Sequence, residues 1–487
     1  MNPPHVFQFA RNRVWMRPIR GAGRAARHTF PDLHLSDLMT SKCQAVFLHT
    51  GYRTAGTWLW SCFRKLDTVT AYYEPLHEML ATIDQEKLAT STADSWRSGH
   101  PALEAPYFAE YAHLLEPGVK GIPGYEAAFS VDRFDRQVPE RAGRIEAYVR
   151  GLMRASHEQG RVPVLKFCRS LGRLEWFRTT FPDAVHIVVE KNPISQWQSC
   201  WHLFAAYRNP HFVAVPFAVL ALNRDVPVVQ QTMSALGVDL PPQPDGAVAQ
   251  TMESYLTLFK DHVAAITPLQ AYRAFLAHWL LTLRDTAQHA NAIFDCDLAA
   301  HSPAYLEGAE RWIGELTGIH PSLRSARREE ASERGNGFDA VEGLQVHLEA
   351  LQVARALAAS GGAEADTLTF WTSKLAQATQ TMAFGAAANW PQPQVGAGHA
   401  TRVVDVALID GAGIDDVLLG ELASTRAALA EVKSELTRVQ NAPLWRLIRY
   451  VRKLRAPKMF RRARRGARRH VGASPPTSAR HSSKRAQ

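Results

Sequence analysis

The stretch QAVFLHTGYRTAGTW, Gln44 to Trp58, decides the reading of this chain. Gln44 to His49 is a short apolar, β-prone run. A turn containing Gly51 and Gly56 follows, and then a helical pattern begins. A strand that enters a helix through such a turn presents free backbone N–H groups at the helix start, and the helix dipole adds attraction for an anion. The two glycines have the GxxxxG spacing of a nucleoside-triphosphate phosphate loop. That loop next requires Lys and then Ser or Thr, and here Thr57 and Trp58 follow. The cation stands inside the loop instead, at Arg53, with Thr54 and Thr57 as hydroxyl donors.

Outward from this loop, strands alternate with helical patterns, which predicts a parallel α/β sheet flanked by helices. Further strands are expected at Thr68 to Tyr73, Val162 to Cys168, Ala184 to Val189 and Ala292 to Leu298. Helices are expected at Leu171 to Phe181, after Pro193, within Met252 to Ala290, and at Tyr305 to Thr317, Leu344 to Ser360 and Ala363 to Met382. Pro193 suits a first helical turn, where a missing N–H does no harm. The proline-containing stretch from Asn209 to Ala247 reads as an irregular, substrate-facing insert or lid, and Ser322 to Gly343 as a loop.

A second anion signature lies at the fourth strand. HIVVEKNPISQWQS, His186 to Ser199, ends a strand at Lys191, two residues before Pro193, and puts Ser199 eight residues after the cation. A cation at a strand end and a hydroxyl one to two helical turns on can converge on one phosphate. Glu190 beside Lys191 would weaken such a site if its carboxylate faced inward. A third segment, Tyr72 to Glu78, sets Glu74 and His77 just past a strand end. Either is a candidate base, Glu74 if partial burial raises its pKa and His77 by its ordinary value near neutrality. Lys166 and Arg169 either line the same cleft or form surface ion pairs.

Together these motifs resemble the PAPS-dependent sulfotransferases, over about residues 41 to 320. Arg53-Thr54-Ala55-Gly56-Thr57-Trp58 is similar, position by position, to that family's 5′-phosphosulfate loop. Lys191 with Ser199 resembles its 3′-phosphate site, with Lys as a point charge where Arg is usual. Tyr73-Glu74-Pro75 resembles the carbohydrate-sulfotransferase segment whose Glu deprotonates the acceptor hydroxyl. The resemblance implies that Arg53 approaches the departing sulfuryl group. It implies too that the Thr54 to Thr57 backbone holds the 5′-phosphate, and that Trp58 stacks on adenine. Arg334-Gly335-Asn336-Gly337 is a looser likeness to the late basic loop at the 3′-phosphate. PAPS would be the donor, PAP the product, and no metal is implied. The expected acceptor is a hydroxyl of a carbohydrate or glycolipid, as in polysaccharide modification. Two rival readings remain: a P-loop kinase, against which the missing Lys argues, and a non-catalytic membrane-associated assembly protein that keeps the fold.

Composition bounds these readings. The 487 residues are 46% hydrophobic and 21% charged, as in a folded protein. The net charge of +10 sits at the ends: Asn441 to Gln487 holds 15 Lys and Arg with no acid, and the first 30 residues hold six Arg. Without these the middle of the chain is at −11, so a basic nucleic-acid groove along the whole protein is not implied. Residues 1–27 are Arg-rich and acid-free like a transit peptide but interrupted by Pro and Gly, and they lack the apolar segment of a secretory signal. The five cysteines are dispersed, without metal spacing, and read as reduced thiols of a cytoplasmic protein.

The expected organisation is a basic extension at 1–40, a sulfotransferase-like domain at 41–343, a helical extension at 344–383 and a linker at 384–413. A short coiled coil at 414–442 and a basic amphipathic and disordered tail at 443–487 follow. Leu418, Leu422, Thr425, Leu429, Val432, Leu436 and Val439 form a heptad seam suited to self-association over 414–439. Residues 444–469, with Trp445 and Tyr450 at an apolar boundary and an Arg-rich run behind, suit an anionic membrane surface. A peripheral position on the inner membrane face is the expectation, with no specific nucleic acid as partner.

Overall fold

The computed structural model describes residues 43–91, 103–135, 142–242, 251–323, 335–359 and 365–385. The readings for 1–40, for nearly all of the 384–413 linker, for the coiled coil and for the tail lie outside them. So does Arg334.

The strands are β1 (Ala45–Thr50), β2 (Val69–Tyr73), β3 (Val162–Phe167), β4 (Ala184–Glu190) and β5 (Ala292–Asp295). The helices up to β4 are α1 (Gly56–Arg64), α2 (Gln85–Thr90), α3 (Ala142–Glu158) and α4 (Leu174–Thr180). Then come α5 (Pro193–Tyr207), α6 (His211–Leu222), α7 (Pro227–Ala235), α8 (Met252–Ala265), α9 (Pro268–Thr282) and α10 (Thr286–His289). Past β5 lie α11 (Cys296–His301), α12 (Pro303–Thr317), α13 (Ala340–Ala359) and α14 (Ala365–Gly385).

The five strands form one all-parallel sheet in the order β2-β3-β1-β4-β5. Every residue of β1 is buried, as befits a central strand covered by helices on both faces. The chain leaves β1 toward one side, builds β2 and β3, then returns to build β4 and β5 on the other. The C-terminal end of β1 is therefore the topological switch point, where open parallel sheets bind their ligands.

One face of β1 is aromatic. Phe47 meets Phe167, Phe177 and Phe181 edge-on at centroid distances of 5.3–6.0 Å. Within this layer His49 stacks on His186. The His186 Nε2–H donates to the Phe181 carbonyl, so its Nδ1 must accept. His49 Nε2–H supplies that bond at 3.0 Å, and His49 Nδ1 accepts from Ser170 Oγ at 2.7 Å. Both imidazoles are thus neutral Nε2–H tautomers, and burial pushes both pKa values down, His186 to about 4. On the other side α1 buries Leu59, Trp60 and Phe63, with Trp60 Nε1 donating to Ala71 O at 3.1 Å.

Asn209 to Ala247 is not an irregular insert where it is described. HFVAVPFAVLAL forms α6, buried from Phe212 to Leu222 with Pro216 inside it, and Pro227 opens α7. An all-round apolar helix carries no amphipathic period, and its proline disguised it further. The fifth strand is also shorter than expected. Asp295 ends it, and its carboxylate accepts from the N–H groups of Asp297 and Leu298, capping α11 at the point where a strand to Leu298 was anticipated. Near the end of the described chain, α14 packs on α13 and on α5. No helix among the described residues is long and apolar enough to cross a membrane.

Candidate functional site

The loop between β1 and α1 is held in an unusual backbone state. Arg53 and Ala55 both have left-handed φ, 65° and 62°, without being glycine. Two such residues flanking Thr54 give the alternation of handedness that turns successive N–H groups toward one concave side. Non-glycine residues keep such angles only where their surroundings over-determine them, and such residues gather at ligand sites. The surroundings are visible here. Gln196 Nε2 donates to Tyr52 O, the Cys296 thiol donates to Thr54 O, and Thr54 Oγ1 donates to Gly51 O at 2.9 Å. Gly56 lies so close to β1 that a Cβ there would stand 2.5 Å from Thr50 Cγ2. The start of α1 has neither a side-chain cap nor an acid in its first turn. No side chain therefore caps its first-turn N–H groups, and the Trp58 N–H turns back to Ala55 O at 3.0 Å.

The two anion motifs meet. Arg53 Nε and Nη2 donate to Ser199 Oγ at 3.1 and 3.0 Å, and the guanidinium lies over the Phe212 ring at 5.0 Å. Ser199 is buried on α5. The resemblance gave Arg53 to the sulfuryl group and Ser199 to the 3′-phosphate, whereas the two side chains touch one another. Lys191, half-buried between β4 and α5, forms no ion pair with a described residue. Burial lifts the Cys200 thiol to about 12, against the opposing pull of Arg53 and then Lys191. Asn192 caps α5 by accepting from Ser195 N at 2.9 Å. Asn192 itself is held by Asp297, which accepts from its backbone N–H at 2.6 Å and from Nδ2 at 3.0 Å. The Asn336 carbonyl accepts from Trp197 Nε1 and its side chain accepts from Gln198, so the late Gly-Asn-Gly loop docks on the helix that carries Ser199.

Trp58 sits in the first turn of α1. Its half-buried ring packs against Phe294 of β5 with centroids 6.0 Å apart, as part of the core margin. Thr57 is buried, with its hydroxyl 3.5 Å from the Tyr73 hydroxyl.

Past β2 and β3 lies a buried charge cluster. Glu74, at φ 46°, accepts from Lys166 on Oε1, and on Oε2 from Cys168 N at 2.9 Å and Arg169 Nη1 at 3.4 Å. Arg169 Nη2 also pairs with Glu78 at 2.8 Å, and its guanidinium lies 5.8 Å from the Tyr52 ring centre. Burial alone would push the Glu74 carboxyl up. Lys166, then Arg169 and Cys168, instead hold it down at about 2. The expectation that burial raises this pKa is therefore corrected: the two cations outweigh desolvation. Glu78 is likewise held near 2, chiefly by Arg169 against its burial. His77 uses Nδ1 to accept from Met79 N at 3.1 Å, which leaves its proton on Nε2. Burial lowers its pKa, with Glu78 opposing. In this arrangement its only lone pair is occupied, so it is poorly placed as a base. Lys166 and Arg169 do not form surface pairs, since both are buried against carboxylates next to the loop.

Several participants have no motif. Gln196, Cys296, Asp297 and Glu78 act through tertiary contacts, and the sequence signal beside them was only Pro193 at a first helical turn. No group of His, Cys, Asp or Glu among the described residues could hold a metal ion. None of the five cysteines forms a disulfide.

No family model matches the chain. No curated protein and no solved structure matches it either.

Proposed function

We propose that this chain is a sulfotransferase that binds PAPS in the P-loop-like turn Gly51–Trp58 and transfers its sulfuryl group to a hydroxyl of a carbohydrate or glycolipid. One observation supports this most: Arg53 of the phosphate loop meets Ser199 of the second anion motif at the switch point of a parallel sheet. Two phosphate signatures 146 residues apart in sequence are within hydrogen-bonding distance in space. A donor carrying anionic groups at both its 5′ and 3′ positions uses both. Arg53 exchanges Ser199 for donor oxygens when the nucleotide enters.

In the proposed reaction the acceptor hydroxyl oxygen bonds to sulfur as the bond from sulfur to the bridging oxygen breaks. PAP leaves with the electron pair, and Arg53 and the loop N–H groups neutralise the charge that develops there. The acceptor proton passes to Glu74 and from there to water. A carboxylate held near 2 is a weak base, so it takes the proton only once sulfur–oxygen bond formation has made the hydroxyl acidic. Three of its roughly four acceptor positions are taken, which leaves one for the acceptor hydroxyl.

The same saturation of Glu74 favours a second reading, an assembly protein that binds the nucleotide without turning it over. Labelled PAPS separates the two. Incubated with the protein and fractionated lysate, it should label carbohydrate or lipid, and Arg53→Ala should abolish the label. Label in protein alone would overturn the carbohydrate assignment. PAP binding with no turnover on any acceptor would leave the second reading standing. The basic segment 444–469 would bring the enzyme to an anionic membrane face on the cytoplasmic side, and 414–439 would pair two copies.

A further inference from the structure

Glu190 is the carboxylate that threatened the second anion motif, and the fold disposes of it in a way no motif announced. It is the last residue of β4, directly before Lys191, and is buried at 1% exposure. Its partner comes from about 180 residues downstream. Lys374, near the middle of α14, reaches the carboxyl ends of the sheet and contacts both Glu190 and Asp295, which face each other across β4 and β5. Lys374 is itself buried. Asp297 stands two residues beyond Asp295 and clamps Asn192. Three carboxylates thus surround the segment 190–192. Lys374 is the cation paired with two of them, and Lys191 between them is paired with none.

The balance is easily upset. Burial pushes the Glu190 carboxyl up to about 8 against the pull of Lys374. Without that ammonium, Glu190 and Asp295 would face each other at the strand ends with Lys191 as the cation next in sequence. A buried charge stripped of its partner is costly, so it takes a proton or recruits another cation. Lys191 drawn onto Glu190 would be lost to a phosphate.

We propose that Lys374 is a positioning residue of the nucleotide site: by pairing with Glu190 and Asp295 it keeps Lys191 free for the 3′-phosphate, so that the C-terminal helical pair α13–α14 is an integral part of the site. This rests on the sulfotransferase reading above. It makes the helical extension more than an appendage, since α14 both packs on the Ser199 helix and supplies the counter-charge for the strand end that precedes it.

The test is a calorimetric titration of the full chain with PAP and, in parallel, with 5′-AMP, which lacks the 3′-phosphate. Lys374→Met should weaken PAP about tenfold, or about 1.4 kcal/mol, and leave AMP unchanged. Lys374→Met combined with Glu190→Gln should return PAP affinity to within about threefold of wild type, because the competing charge is gone. Should Lys374→Met fail to fold, the double variant and Lys374→Arg carry the test, and both should bind PAP nearly as wild type does. In a Lys191→Ala background, Lys374→Met should cost PAP nothing further. PAP binding equal in wild type and Lys374→Met overturns the inference alone, as does a double variant that stays weak. Equal losses for PAP and AMP also overturn it, because they mean a general structural role. A wild-type protein that binds no PAP overturns the sulfotransferase reading first and this inference with it.

Discussion

Gly56→Ala is the substitution whose consequence follows most directly from geometry. Gly56 has no left-handed φ, so alanine meets no backbone penalty, and by helix propensity alone it would be favoured. The obstacle is Thr50. A Cβ at position 56 would stand 2.5 Å from its Cγ2, 2.8 Å from its Cβ and 3.0 Å from its Oγ1. Thr50 cannot swing aside cheaply, because it is fully buried and its hydroxyl donates to Phe167 O at 3.0 Å, tying β1 to β3. Relief requires α1 to move off the strand end by the better part of an ångström, which widens the loop that holds Arg53 to Thr57. Overpacking of this kind costs about 1–3 kcal/mol. Denaturant unfolding should show a loss of about 2 kcal/mol for Gly56→Ala, within that same range, and PAP affinity should fall with it. Thr50→Ala in the same chain should recover part of the stability. Gly151→Ala is the matched control: it lies within α3 with nothing inside 4 Å of its Cβ, and should stabilise by about 0.5–1 kcal/mol. A Gly56→Ala protein as stable as wild type, with unchanged PAP binding, would refute the close approach of loop and strand.

Glu74→Gln strips Lys166 and Arg169 of a buried counter-charge, and urea unfolding should report a loss of about 3–5 kcal/mol. Since Glu74 titrates near 2 in the fold, below its ordinary 4.5, its ionised form stabilises the protein above about pH 4.5. That contribution fades as pH falls toward 2, and pH-dependent melts should lose this component in Glu74→Gln. The buried His49–His186 pair acts higher. The neutral imidazoles bind fewer protons than the unfolded chain below pH 6.5, so stability should fall as pH drops from 6.5 toward 4. His186→Phe should flatten that slope, and an unchanged slope would contradict the pair's role. Ser199→Ala removes the acceptor that holds Arg53, and should weaken PAP binding while leaving the melting temperature within a few degrees.

The sheet was legible because β1, β3 and β4 are short apolar runs ending at turn signals, and the structure places strands at all three. The loop was legible because its glycines, its cation and its threonines are contiguous. α6 was not, since burial on every side erases the periodicity by which helices are recognised. Nor was the state of Glu74. Its sequence neighbourhood shows a strand end and a proline, whereas its pKa is set by Lys166 and Arg169, more than 90 residues away. Glu190 taught the same lesson in reverse. Beside Lys191 it read as a hazard to phosphate binding, and only the fold reveals the lysine on α14 that pairs with it.

The most direct measurement is calorimetry of the full chain against PAP on one side and ATP with Mg²⁺ on the other. The account predicts one PAP site per chain, lost in Arg53→Ala and in Lys191→Ala, and no binding of ATP with Mg²⁺. Binding of ATP with Mg²⁺ in preference to PAP, or binding of neither, would contradict it.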